Sequence, residues 1–400
     1  MAQDLTDATL GFFRKAAFLA RISMSRLDDF KWMLHYLKIL DLINAKIFAG
    51  LGKFGPRNIS SLARSVRIPA TTVAFRIKRL TERGYLQVRA NLDHPKLGLM
   101  KAILITDTAG GLEEKLREAI EGIGYWTYIT NCYGKFNGIY TLFAFPAEHK
   151  NKLEAYLKEA AHCKAMSSYV FFWITNLCEV SPNFDWFDFK SKAWKFRWHQ
   201  WISEVLKAPE KLPKRLAEPA KYQIMIDKAD LLLLKELEKD AFLEFTKIAN
   251  ILRMSPQGVR YRYYKHVMRH GLIADYEVAI LPYPLLVSDM CSFIINFENE
   301  EALAKFSNTL SNKHFIVNYG KIIGQNSLLM HSYTPRTEFP NFINALNSLV
   351  KRNLITDFFY VNLDISSFKR QTVSYEFFRN KSWTFNYKEK LKRLAEIMGN

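Results

Sequence analysis

The chain is predicted to be an α+β protein built as two repeats, each a winged helix-turn-helix followed by a β-α-β-β-α-β ferredoxin-like domain. Three observations carry that expectation. The sequence repeats itself: "YGKFNG" at Tyr133–Gly138 returns as "YGKIIG" at Tyr319–Gly324, 186 positions later, and the same offset brings Ala63 onto Ala249, Val73 onto Val259 and Arg76 onto Arg262. Each copy contains two short apolar-periodic stretches around a tight turn. Beyond that stretch the hydrophobic period changes from that of helices to that of alternating strands and helices.

Residues 1–29 are expected to form a helical extension, followed by a first winged helix-turn-helix over 30–95 and a first α/β domain over 96–182. In the first unit Trp32–Phe48 is apolar-periodic, "SSLARSVRIPATTVAFRIKRLTERG" supplies the two-helix motif and "GYLQVRANLD" an extended ribbon. The α/β segment reads as strand "KAILITDT", helix "LEEKLREAIEGIG", two strands in "YWTYITNCYGKFNGIYTLFAFP", helix "AEHKNKLEAYLKEAAHC" and strand "AMSSYVFFWITNL".

An aromatic and basic tail with a linker occupies 183–221, and "LKAPEKLPKRLAEPAK" is its Pro- and Lys-rich end. The second winged helix-turn-helix is placed over 222–282, opening on the apolar-periodic Ile224–Leu237, the second α/β domain over 283–368, and a second aromatic tail over 369–400. The tails match at an offset of 189: Trp194, Phe196 and Trp198 correspond to Trp383, Phe385 and Tyr387. Such alternation suits a strand docked on a domain, and with interleaved lysines it also suits stacking on nucleic-acid bases.

Fifty-seven Lys and Arg against 39 Asp and Glu leave a net charge of +18, an excess that meets an anionic partner, nucleic acid first among them, or remains as the self-repulsion of a generally basic surface. Between Arg57 and Arg89 there are eight Lys or Arg and one acid, Glu82. With Val73 on the core face at 100° per residue, Ile77 and Leu80 fall beside it, while Thr71, Phe75 and Lys78 point outward with Thr72 and Arg79 at the flanks. That face suits a DNA major groove, and the small residues of "PATT" let the helix start approach a phosphate. The second copy's "SPQGVRYRYYKHVMRHG" turns Gln257, Tyr261, Tyr264 and Lys265 outward, with Arg260 and Arg262 at the sides, and one extra residue must be absorbed between Arg262 and Gly271.

The four cysteines form no C-x-x-C pair, and His266 and His270, four apart, are read as core or backbone-bonded histidines rather than metal ligands. No metal, cofactor or catalytic signature is found. With no stretch of 18 apolar residues and no signal-like N-terminus, the expected setting is cytoplasmic and nucleoid-associated, without a membrane partner.

The pattern "LARSVRIPATTVAFRIKRLTERGYL" followed by a β-α-β-β-α-β segment resembles the Lrp/AsnC family of bacterial and archaeal transcription regulators, over roughly Leu37–Asn176 and again Ile226–Asp364. The resemblance implies a reader of double-stranded DNA, an archaeal source, self-association through the α/β domains and an effector of unidentified chemistry. On it, Thr71, Thr72, Arg76, Lys78 and Arg79 would correspond to the family's DNA-facing residues, with Gln257, Arg260, Arg262 and Lys265 in the second copy; Arg67, Arg89 and Tyr261, in the same basic stretches, complete the expected DNA-binding set. Two departures stand out. The family's Gly-x-x-Asp effector loop is replaced by Gly134-Lys135-Phe136-Asn137 and Gly320-Lys321-Ile322-Ile323, better read as tight turns with an exposed lysine. The tandem copy looks like a dimer made covalent, which relaxes the need for a palindromic site. Siroheme decarboxylase subunits are similar in build and keep the motif only as scaffold. Such an enzyme would need a porphyrin-sized cavity lined by His and Arg, for which His149, His162, His314 and His331 are the histidines in the α/β segments. A weakly selective chromatin protein is the third reading.

Overall fold

The computed structural model describes residues 37, 39–280 and 282–399; the expected N-terminal extension over 1–29 and Trp32–Tyr36 lie outside them. The duplication is visible element by element. Helix α1 (Leu42–Phe54) is capped by the Asp41 carboxylate, and its counterpart α7 (Lys228–Lys239) by Asp227 in a reciprocal capping box with Asp230. These aspartates, 186 residues apart, start both helices inside the apolar-periodic stretches Trp32–Phe48 and Ile224–Leu237. Helices α2 (Ile59–Val66) and α8 (Phe245–Leu252) both end on a left-handed arginine, Arg67 and Arg253, which makes the tight turn. The outward helices follow: α3 (Ala70–Glu82) in the first copy and α9 (Pro256–Arg262) in the second. The second runs on as a π-helical turn, Tyr263–Met268, which absorbs the extra residue.

Each motif leads into a single strand, β1 (Gln87–Leu92) or β9 (Ile273–Ala279). Neither folds back as a wing within its own copy. They pair antiparallel with each other, Arg89 opposite Glu277 and Asn91 opposite Asp275, so one ribbon joins the two halves across a pseudo-twofold axis. Arg57 marks the same axis: its guanidinium donates to the carbonyl of Leu243 and lies over the rings of Phe245 and Tyr263 in the other motif.

The first α/β domain comprises β2 (Leu99–Thr108), α4 (Glu113–Ile123), β3 (Trp126–Gly134), β4 (Gly138–Pro146), α5 (Lys150–His162) and β5 (Met166–Ile174). After a short β6 (Cys178–Glu179) come the tail hairpin β7 (Phe187–Asp188) with β8 (Ala193–Trp194), and helix α6 (Trp198–Lys207). The second domain comprises β10 (Ser288–Phe297), α10 (Glu300–Asn308), β11 (Ile316–Lys321), β12 (Ser327–Pro335), α11 (Phe339–Val350) and β13 (Ile355–Leu363). The strands form one sheet in the order β5-β2-β4-β3-β13-β10-β12-β11-β6, each half in ferredoxin-like order, and the bridge between Ile174 and Ile322 brings its far ends together. Ile103, Tyr140, Ile294, Leu329 and Val361 fill the space between the two halves.

The tails are exchanged. Trp198 and Trp201 of the first tail pack on Phe306, Phe315 and Phe342 of the second domain. Trp383 and Phe385 of the second tail pack on Tyr125 and Phe145 of the first. The Trp194, Trp198 and Trp383 indoles donate to Pro282, Glu338 and Leu97, so of the two readings of the tails the docked one holds. The Pro- and Lys-rich segment is strapped to the second copy by Glu210–Lys305, Glu218–Lys321 and Arg215–Asp275 pairs. Among the described residues no helix is long and apolar enough to cross a membrane.

Candidate nucleic-acid interface

Helix α3 buries Val73, Ile77 and Leu80, as its periodicity requires, and turns Thr71, Ala74, Phe75, Lys78 and Arg79 to solvent, with Thr72 half-buried. Its N-cap, Pro69, offers no side-chain acceptor, so the N–H groups of the exposed Ala70 and Thr71 in the first turn have no side-chain cap, and a phosphate could accept their hydrogen bonds. Arg67 is exposed in the turn just before it. Helix α9 buries Val259 and exposes Gln257, Arg260 and Tyr261; Tyr264 and Lys265 are exposed on the π turn.

Three of the expected DNA-binding arginines are not on this surface. Arg76 donates to Asp41 at 2.7 Å and to Asn44 at 3.0 Å. Its counterpart Arg262 reaches Asp227 and Asp230, both at 2.8 Å, and His266 Nδ1 lies 3.2 Å from Asp230. Both arginines fasten the outward helix to the N-terminus of the first helix of the motif. Arg89 is only 7% exposed and pairs with Glu277 at 2.8 Å, because β1 faces β9 rather than solvent. Arg57, counted in the basic stretch, is likewise internal. Arg64 and Arg83 remain exposed beside the expected set, as do Arg253 and Arg269 in the second copy. Of the paired histidines, His266 is half-buried, while His270 is exposed with its ring bonded to the His266 carbonyl, so it does not face the core. The shared turn also differs between copies: Lys135 is exposed, whereas Lys321 is buried against Glu218.

Behind the ribbon lies a cavity of about 300 Å³, with Trp194, Tyr333, Phe184 and His314 on its walls and Arg89, Glu277 and Arg370 at its polar end. Burial would raise the Glu277 pKa, but Arg370 and Arg89 overcome it and hold the carboxyl at about 2. Burial pushes nearby Glu179 and Glu238 up to about 7 and Lys101 down to about 8. His314, desolvated among aromatic rings, is lowered to about 3 and is neutral. His331, also lowered to about 3 by burial, sits between Tyr140 and Asn318, while His149 precedes helix α5 and His162 is its last residue. None of the four cysteines is in a disulfide.

No family model matches the chain. In sequence it is 36% identical over 90 residues to an HTH-type transcriptional regulator of Pyrococcus horikoshii, a match covering 22% of this chain and 59% of that protein. A second such regulator, from Pyrococcus furiosus, is 34% identical over 82 residues, 20% of this chain and 55% of the relative. The chain thus spans little more than half the length of the curated relatives it matches. In structure it is similar to the siroheme decarboxylase NirDL in complex with an iron-uroporphyrin III analogue, at TM-score 0.53 and 12% identity, covering 88% of this chain and 99% of that one. The protein is a tandem duplication of a helix-turn-helix and ferredoxin-like unit, with the overall fold of NirDL and, over about a fifth of its length, sequence similarity to HTH-type transcriptional regulators.

Proposed function

We propose that this chain is a sequence-selective, DNA-binding regulator of transcription and not an enzyme, a covalent pseudo-dimer that reads double-stranded DNA with α3 and α9. The observation that carries it is the outward, solvent-facing position of both helices with their cations uncommitted to internal ion pairs: Arg67 and Arg79 in one copy, Arg260 and Lys265 in the other. Thr71, Thr72, Lys78, Gln257 and Tyr261 complete the surface. Similarity to HTH-type regulators of Pyrococcus supports the same reading.

The NirDL-like fold favours a second reading, a tetrapyrrole-processing enzyme. The cavity's chemistry does not fit such a substrate. A siroheme-type macrocycle presents several carboxylates and needs an excess of cations, whereas here Arg89 and Arg370 are both engaged by Glu277, with Glu179 beside them. A volume of about 300 Å³ is also at the bottom of the range for drug-sized ligands.

Binding of the intact chain to duplex DNA across a salt series tests the proposal. With about six phosphate contacts shared by the two helices, log K should fall with log[salt] at a slope of about −5, and a preferred sequence should emerge from random DNA. A steep slope without a preferred sequence supports a chromatin protein instead, and the absence of DNA binding at low salt refutes both.

A further inference from the structure

The two outward helices share a skeleton and differ in their faces. The 186-residue offset superposes the buried Val73 on Val259 and the fastening Arg76 on Arg262, so the outward positions correspond one to one up to that point. There Thr71 meets Gln257 and Ala74 meets Arg260, while Phe75 meets Tyr261. The last pair is 64% and 60% exposed, so both helices hold an aromatic ring in water at the same place in the middle of the face. Past Arg262 the π turn inserts one residue, which rotates Tyr264 and Lys265 by about 100° relative to Lys78 and Arg79. The contact face of α9 is therefore centred on Gln257, Arg260 and Tyr261, and that of α3 on Thr71, Phe75, Lys78 and Arg79.

These side chains ask for different bases. A glutamine pairs with the N6 and N7 edge of adenine and an arginine with guanine, whereas a phenylalanine offers no hydrogen bond and suits the methyl group of thymine. Resting on the regulator reading above, we infer that the target is an asymmetric element: a half-site read by α3 through a thymine methyl against Phe75, and an unlike half-site in which Gln257 selects adenine and Arg260 selects guanine. The mismatch between Thr71 and Gln257, and between Ala74 and Arg260, keeps either helix from reading the other's half-site equally well.

The experiment is selection of random duplex DNA by the intact protein, followed by binding of the winning sequence to Phe75→Ala and Gln257→Ala. Both residues are on the surface, so the variants fold. The consensus should consist of two unlike halves. Replacing the critical thymine by uracil, which removes only the methyl group, should weaken binding by the wild-type protein about fourfold and leave Phe75→Ala indifferent. Gln257→Ala should lose at least about fivefold on the consensus and become indifferent to the base at one position of the other half only. A palindromic consensus, an equal response of wild type and Phe75→Ala to uracil, or a loss in Gln257→Ala that is uniform over sequences overturns the inference while leaving DNA binding in place. Failure to bind DNA at all instead overturns the regulator reading.

Discussion

Replacing Arg262 by methionine separates a fastening role from a DNA-contact role. Its guanidinium bonds Asp227 and Asp230 at 2.8 Å, and the Asp230 side chain is 3% exposed. Removing one partner of a fully buried ion pair costs about 3–5 kcal/mol. Here His266 and the Asp227 amide still face Asp230, which reduces the expected cost to about 2–3 kcal/mol. The equivalent Arg76→Met removes a bond to Asp41, which is 43% exposed, and one to the neutral Asn44, so it should cost about 1 kcal/mol or less. A chain of this size does not unfold in one step, so the assay is native-state hydrogen exchange at the amides of α9 and α3. The difference of about 2 kcal/mol corresponds to exchange roughly 30-fold faster in α9 of Arg262→Met than in α3 of Arg76→Met, with DNA affinity within about threefold of wild type for both. Equal exchange in the two variants, or a tenfold loss of DNA affinity with protection intact, would refute the fastening role.

Arg79→Ala and Lys265→Ala, at exposed positions, should each reduce the magnitude of the salt slope by about 1 and weaken binding similarly on all sequences, as read from salt titrations of affinity. Trp383→Ala removes an indole that is 2% exposed and docked across the copies on Leu97 and Tyr125, and should cost about 3–5 kcal/mol, seen as a lower thermal midpoint. Burial raises Glu238 from its ordinary value to about 7, so the stability it contributes is complete below about pH 4.5 and is lost as pH rises through about 7. Glu238→Gln keeps the acceptor for the Val373 amide. It should therefore gain on wild type by about 1–2 kcal/mol, after allowance for partial solvent screening, between pH 4.5 and 8; a flat difference in denaturation midpoints across that range contradicts this.

The repeat, the helix-turn-helix and the order of strands in each α/β half could be read from hydrophobic period and self-similarity, because those features are local. The outward faces of α3 and α9 were legible for the same reason. What sequence reasoning missed depends on contacts between distant segments. Arg76 sits at the flank of a helical wheel, and only its approach to Asp41 turns it inward; the signal was present, since the Asp-and-Arg pair recurs as Asp227 and Arg262 at the same offset. Arg89 looked like a wing residue because nothing local says that β1 pairs with the other copy's strand. The exchange of tails was hidden likewise: alternating aromatics predict docking, not which domain receives it.

The central claim is that both exposed helices sit on one duplex. Hydroxyl-radical footprinting of a 1:1 complex of the intact chain with its selected sequence tests it most directly. Two protected patches are expected on the same duplex, centred one helical turn or a whole number of turns apart, with Arg79→Ala weakening protection in one patch and Lys265→Ala in the other. A single protected patch, or two patches that need two protein chains, would contradict it.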